Sequence, residues 1–235
     1  MLMFKEMRKK EARKKFHVLP KLFDDIKSGN LAQLSWVEPI YFDLPSMPAS
    51  DQHPDHDVSV GEQLIKDVYE ALRASDLFNS TLFIITYDEH GGFFDHVLPQ
   101  TGVPNPDGLN STDSPFDFTR LGIRIPTVFV SPLIEKSTIL SAAPVGEPQY
   151  EHSSLISTIV HKIFQPQAAS QVEPVAFLTA RDAWARTFEA VISPDLLEPR
   201  SDCPKTLPVV ISHREQFPQT LPPLDGLVKQ NKTYI

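Results

Sequence analysis

A single cysteine, Cys203, occurs among the 235 residues, so no disulfide can close within the chain. A lone thiol fits a reducing compartment without specifying one. No apolar run approaches the ~20 residues that a bilayer-spanning helix requires. Residues 1–15 are basic rather than apolar, unlike a secretory leader. No internal repeat is visible. No Gly-x-Ser-x-Gly turn presents a serine, which excludes a nucleophile elbow. What remains is an ordinary globular composition, 41% hydrophobic and 22% charged, in a chain long enough for one large domain.

The charge is unevenly placed. Residues 1–15 carry seven Lys or Arg against two Glu. Subtracting these from the totals of 22 basic and 30 acidic residues leaves a net charge of −13 on the remainder. Such a body repels nucleic acid and anionic lipid. The basic run Arg8, Lys9, Lys10, Arg13, Lys14 and Lys15 has two readings: a membrane-contact element, or the wet face of a helix whose other face carries Phe16, Leu19, Phe23 and Ile26. The charge stops with the first helix, which favours the second.

Phe4 to Lys27 reads as helical, interrupted at Pro20, with Gly29-Asn30 as its stop. Leu34 to Phe42 reads as extended, and a proline-rich polar loop follows to Asp57. Ser59-Val60-Gly61-Glu62 has capping-box spacing before a helix carrying Leu64, Ile65, Val68 and Leu72. Strand, loop, helix and then the apolar run Leu82 to Ile85 predict a crossover unit of a parallel sheet. A long proline-rich loop spans Glu89 to about Arg120, a length that points to function or mobility. Ile123 to Val130 predicts another strand, and Ser153 to Phe164 and Arg181 to Ile192 predict helices. Trp36 and Trp184 are expected in or near the core. The organisation expected is a basic amphipathic helix over 1–33, the main domain over 34–200 and a proline-rich peripheral tail over 201–235.

Chemistry concentrates after the strand at Leu82. There the chain reads Tyr87-Asp88-Glu89-His90-Gly91-Gly92-Phe93-Phe94-Asp95-His96. Carboxylates and imidazoles gathered so closely are costly to hold unless a cation or phosphate needs them. Asp88 and Glu89 are adjacent at a strand end, where both can reach one divalent cation if the backbone turns. The glycines let backbone approach a ligand closely. Asp95 and His96 serve either beside the bound groups or as hydrogen-bonded supports of the loop. His53, in Gln52-His53-Pro54-Asp55-His56-Asp57, is suited to protonate a leaving oxygen. His56 reads more simply as a surface histidine paired with a nearby aspartate. His152 precedes Ser153 and Ser154, which read as N-caps rather than nucleophiles. Cys203 has no partner in sequence and reads as incidental.

These segments, together with Phe42-Asp43-Leu44-Pro45, Gly102 to Gly108 and Tyr150-Glu151-His152-Ser153-Ser154, resemble the phosphoesterase family of phosphatidylcholine-type phospholipases C and acid phosphatases. Arg181-Asp182-Ala183-Trp184 and Ser201-Asp202-Cys203-Pro204 look most like its plant non-specific phospholipases C. The resemblance implies an α/β fold, an alkaline-phosphatase-like three-layer α/β/α sandwich, of which this chain holds the C-terminal part. It implies hydrolysis of phospholipids to diacylglycerol and a phosphorylated head group, with acid phosphatase-like monoester hydrolysis, or non-catalytic lipid or metal binding, as alternatives. It also implies one divalent metal ion held partly by Asp88 and Glu89, with His53 and His90 as catalytic groups. Asp95, His96 and His152 then lie around the phosphate site. Family members are longer, and their N-terminal half supplies a Glu-Asn metal pair and a serine or threonine nucleophile. Neither is found in this sequence, so the isolated chain is expected to turn over little substrate. Peripheral membrane contact is compatible with this reading. So is placement in the cytoplasm, or secretion under a leader outside these residues.

Overall fold

The computed structural model describes residues 5–44, 47–144, 146–165, 175–192 and 198–211. The chain forms two compact units, Met1–Ser75 with Pro204–Ile235, and Asp76–Cys203.

In the first unit a single 3-10 turn, Glu6–Arg8, precedes α1 (Lys10–Arg13), α2 (Leu19–Ser28) and α3 (Val58–Arg73). The expected long N-terminal helix is therefore two helices, and the break falls before Pro20. Proline has no N–H to donate, so it fits the first turn of α2, where none is needed. Gly29 ends α2 at φ 73°, and the amides of Gly29 and Asn30 donate back to Ile26 and Asp25. Asp57 caps α3 by accepting from the Ser59 amide at 3.0 Å and the Ser59 hydroxyl at 2.6 Å. The cap expected at Ser59 thus falls two residues earlier, on Asp57, and the reciprocal box is not formed, because a carboxylate outcompetes a hydroxyl for these donors. Val68, Tyr69 and Leu72 bury one side of α3. Lys66 donates to the Leu207 carbonyl at 2.7 Å, and the Leu207 amide donates to Glu70 at 2.8 Å. Those bonds fasten the segment that follows Pro204 to α3, while residues 212–235 of the expected tail lie outside the described residues.

Leu34 to Phe42 forms no strand. Pro39 lacks a ladder donor, and Trp36 and Phe42 stand 65% and 76% exposed, so the run has neither pairing nor a face to bury. Trp36 is accordingly not a core residue.

The second unit holds β1 (Phe83–Thr86) and β2 (Thr127–Val130), paired antiparallel with Ile84 opposite Phe129 and Ile85 opposite Val128. The parallel crossover expected from the element order is not formed among the described residues, since the run before α3 carries no ladder. Helices with a small sheet leave the chain in the α/β class. Next come α4 (Ser153–Ile156), which widens into a π-helical stretch at Ser157–Phe164, and α5 (Ala180–Trp184). Thr179 and Asp182 form a reciprocal capping box on α5. The helix expected over Arg181–Ile192 stops at Ala185, whose ψ of 138° turns the chain out. That turn delivers Phe188 into the core, with its amide donating to the hydroxyl of fully buried Thr158 at 3.1 Å.

Phe188, Ile134 and Val191 form the centre of this core, and Ile84, Phe129, Leu140, Tyr150 and Leu155 pack against them. The Phe129 and Phe188 rings lie 4.7 Å apart between centroids. Phe188 is 2% exposed, so Phe188→Ala is expected to cost about 3–5 kcal/mol. The measurement is the urea midpoint followed by tryptophan fluorescence. Ile139→Ala, at a position 84% exposed, should leave that midpoint within about 0.5 kcal/mol of the parent.

Candidate functional site

The sheet ends where Thr86 and Thr127 bring their hydroxyls to 3.0 Å across the last register pair. Immediately beyond, the Tyr87 carbonyl accepts from Nε2 of His152 at 2.9 Å, joining the end of β1 to the start of α4. A carbonyl can only accept, so Nε2 carries the proton and Nδ1 of a neutral His152 keeps its lone pair. His152 itself occupies the N-cap position. The Ser154 hydroxyl instead accepts from the Glu151 amide at 3.0 Å, and the Ser154 amide returns to the Glu151 carbonyl at 2.9 Å. The serines thus close the turn that presents His152, one residue away from the capping role expected of them.

After Tyr87 the chain makes a tight acidic turn. Asp88 Oδ1 accepts from the Glu89 amide at 2.9 Å, and Glu89 Oε2 accepts from the Gly91 amide at 2.7 Å. Each carboxylate thereby commits one oxygen to its own backbone, and both residues are exposed. Gly91 and Gly92 have φ of 66° and 74°, consecutive left-handed values that strain any residue with a Cβ. His90 Nδ1 lies 3.3 Å from Glu89 Oε2, close to the acidic pair.

Asp95 anchors the far end of this turn. Arg124 grips it with two bonds, Nε to Oδ2 at 2.7 Å and Nη2 to Oδ1 at 2.8 Å, and the Val97 amide adds a third at 3.0 Å. The Arg124 bonds, and then the Val97 amide, hold the Asp95 carboxyl far below the usual carboxylate range. Asp95 is a support of the loop. His96 points away, its side chain 84% exposed and 3.6 Å from Asp95, and does not join the acidic pair. Arg124 was not singled out from the sequence. The only available sign was a lone cation in Gly122-Ile123-Arg124-Ile125-Pro126, just ahead of β2.

The long loop beyond is laced rather than loose. Thr101 bridges Arg120, and the Val103 amide donates to the Thr119 carbonyl. Arg181 reaches from α5 to the carbonyls of Pro104 and Phe118 at 2.8 and 2.6 Å. Glu151 is a further residue that sequence reasoning passed over: its Oε1 is buried without a hydrogen-bond partner, next to His152. Its sign was an acid directly preceding the histidine.

His53 and His56 belong to the first unit. His53 is exposed, with Nδ1 3.0 Å from the Pro54 carbonyl, which assigns the proton to Nδ1 and leaves Nε2 open. His56 Nδ1 lies 2.7 Å from Asp51, the paired surface histidine expected. Gly61 lets this histidine loop pack on α3, since a Cβ there would fall 2.3 Å from Gln52 and 2.8 Å from the Ser50 carbonyl. Among the described residues no three His, Cys, Asp or Glu side chains converge as a metal site. Asp88 and Glu89 are therefore not joined by a third such side chain among the described residues. Cys203 is half-buried and is not a member of either group.

The chain is 52% identical over 200 residues to non-specific phospholipase C6 of Arabidopsis thaliana, a match covering 83% of this chain and 36% of the relative. It is 49% identical over 218 residues to non-specific phospholipase C4 of the same plant, covering 91% and 38%. Phospholipase C B of Mycobacterium tuberculosis is 28% identical over 232 residues, covering 84% and 40%. The chain thus spans well under half the length of the curated relatives it matches. A model of the phosphoesterase family matches residues 3–165, a stretch holding the histidine loop, the acidic turn and the start of α4, and the chain belongs to that family.

Proposed function

We propose that this chain carries part of the active site of a phospholipase C-type phosphoester hydrolase, which cleaves phospholipids to diacylglycerol and a phosphorylated head group. The observation that carries the reading is the Asp88–Glu89 turn at the end of β1. It places two adjacent, exposed carboxylates in a segment matched to proteins named phospholipase C. The fold proposed for the whole enzyme is the three-layer α/β/α sandwich, with β1 and β2 among its strands. One divalent ion is proposed to bind at Asp88 and Glu89, with further ligands from beyond this pair.

The chain's own residues have definable tasks. A diacylglycerol alkoxide is a poor leaving group, and a proton delivered to its oxygen lowers the barrier. His53 is assigned that role as the imidazolium, giving up its Nε2 proton while Nδ1–H stays engaged on the Pro54 carbonyl. His90 is assigned to proton handling beside the acidic pair, and His152 to fixing the turn through the Tyr87 carbonyl. His96 stays a candidate for phosphate contact only by virtue of its exposure at the mouth of the turn. Among the described residues, Ser154 lacks the setting of a nucleophile, being buried and committed to Glu151. That favours binding without turnover for the isolated chain.

Replacing the matched 200 residues of the Arabidopsis relative with the corresponding residues of this chain tests the reading. The chimera should release diacylglycerol from phosphatidylcholine, and Asp88→Ala within it should lower the rate by about a hundred-fold or more. The isolated chain should release almost none. A chimera that hydrolyses only soluble monoesters would instead support the acid phosphatase alternative, and one that binds phospholipid without hydrolysing anything would reject the enzymatic reading.

Asp95 and Arg124 supply a second test, of how the turn is positioned. The carboxyl of Asp95 is depressed in the folded chain, so its contribution is present above the unfolded value of about 3.9 and is lost as pH falls below it. The side-chain carboxyl resonance of Asp95, followed by NMR, should titrate well below that value. In Arg124→Leu it should rise towards that value but stay below it, because the Val97 amide still bonds the carboxylate, with faster chymotryptic cleavage at Phe93 and Phe94. Arg124→Lys should restore the turn only in part, because an ammonium cannot reproduce the two-pronged bond.

A further inference from the structure

Two arms of chain run out from the acidic turn and back to β2, and the bonds between them are spread along their length. Nearest the turn is the Asp95–Arg124 pair. Beyond it the Leu121 amide donates to the Gln100 carbonyl at 2.8 Å, Thr101 bridges Arg120 antiparallel, and the Val103 amide donates to the Thr119 carbonyl at 3.1 Å. Asn105 gathers the outer part, its Nδ2 donating to the carbonyls of Leu109 and Asp117, each at 2.7 Å. A two-armed ribbon of this kind is marginal by itself. Phe118 adds a cost. Its φ of 59° is left-handed, a conformation that a residue with a Cβ keeps only where its surroundings impose it.

The start of α5 imposes it. Arg181 Nε donates to the Pro104 carbonyl at 2.8 Å and Nη2 to the Phe118 carbonyl at 2.6 Å, one bond to each arm. The Ala180 amide adds a bond to the Pro106 carbonyl at 2.9 Å. A planar guanidinium fixes the spacing of its own donors, so it sets the separation of the arms as well as holding them. Both acceptors are carbonyls, which do not titrate. The base from which Arg181 reaches is firm: neighbouring Asp182 is 3% exposed, its carboxylate accepts from the Leu178 and Thr179 amides, and its carbonyl accepts from buried Ser157. The arms carry this hold to Asp95 and Arg124, where they converge on the acidic turn. We propose that Arg181 is a positioning residue of that turn: by clamping Pro104 and Phe118 it keeps the arms in register, so that Arg124 meets Asp95 and the turn bearing Asp88 and Glu89 keeps its shape. The consequence for turnover rests on the phosphoester reading, whereas the clamp itself does not.

Arg181→Met, which keeps an unbranched side chain and removes both bonds, tests the clamp in the full chain and in the chimera. In the full chain the Asp95 carboxyl, followed by NMR, should titrate higher than in the parent. The Val97 and Val103 amides should exchange with solvent about ten-fold faster or more. The Phe188 amide, bonded to Thr158 in the core, should exchange at the parent's rate, which verifies an intact fold. Arg181→Lys should fall between the two, because an ammonium is a single point donor. In the chimera, Arg181→Met should lower kcat for diacylglycerol release about ten-fold with KM little changed. Joining the arms by another route should undo these effects. Facing antiparallel residues lie about 4.5–5.5 Å apart at Cα, within reach of a disulfide. Thr101→Cys with Arg120→Cys, oxidised in the Arg181→Met background, should therefore restore the Asp95 titration and the rate, and reduction should cancel the rescue. An unchanged Asp95 titration in Arg181→Met would overturn the proposal, as would failure of the oxidised cross-link to restore it. Loss of Phe188 protection alongside that of Val97 would make Arg181 a residue of general stability and reject positioning. A normal kcat despite a raised Asp95 titration would reject it too. A parent chimera that hydrolyses nothing would overturn the enzymatic reading alone, and the Asp95 titration with its rescue would still decide the clamp.

Discussion

A two-stranded ribbon is at best marginally stable in water on its own, so the unit containing Asp76–Cys203 depends on what covers its sheet. Phe188 is that cover. It lies against Phe129 of β2, with Ile84 of β1 and Leu155 of α4 in the same cluster. To put it there the chain leaves α5 at Ala185, and the Phe188 amide is satisfied by Thr158 rather than by a helix carbonyl. The π-helical stretch after α4 contributes the two buried hydroxyls, Ser157 and Thr158, that hold this return segment, Ser157 through the Asp182 carbonyl. Asp182 completes the arrangement. Burial opposes its ionisation, but hydrogen bonds from Thr179 and from the amides of Leu178 and Thr179 outweigh that and hold its carboxyl below the ordinary value.

The same packing sets the position of the acidic turn. The core fixes β1 from one side, and α4 approaches the end of β1 closely enough for His152 to take the Tyr87 carbonyl. A strand end without a ladder partner leaves its carbonyl to water, whereas here the side chain at the N-cap of α4 takes it up. The turn is pinned at its beginning by His152 and at its end by Arg124, and its interior is shaped by the backbone bonds of Asp88 and Glu89. Loops that carry function are commonly held by a rigid scaffold in this way.

How much of this could be read from the chain depends on the range of the interactions involved. The apolar run at β1, the acid-rich turn after it and the glycines that bend it are local signals, and each appears where the residues predict. The stop at Gly29-Asn30 is local too. The partner of β1 is not: Phe83 meets Val130 across 47 positions, and nothing in either run declares an antiparallel register. Leu34 to Phe42 has the composition of a strand and no neighbour to make it one, which composition alone does not reveal. The helix expected through Ile192 was lost to the demand of the core for Phe188, a tertiary override of good local propensity. His152 and Arg124 find their partners 65 and 29 positions away. Their residue types were visible, but the contacts that give them their roles were not.

Those long-range contacts bear on what two exposed carboxylates can do. Asp88 and Glu89 are adjacent like charges, and holding them together is unfavourable unless something compensates. The Glu89 and Gly91 amides provide part of that compensation by binding one oxygen of each carboxylate, and the left-handed glycines make the geometry attainable without strain. With one oxygen of each carboxylate already held, less ordering remains to be lost on binding the cation proposed for this pair. Two carboxylates alone fall short of a divalent site, because such ions take four or more ligands. The turn is thus shaped in advance for the proposed cation and too sparse in ligands to retain one tightly by itself.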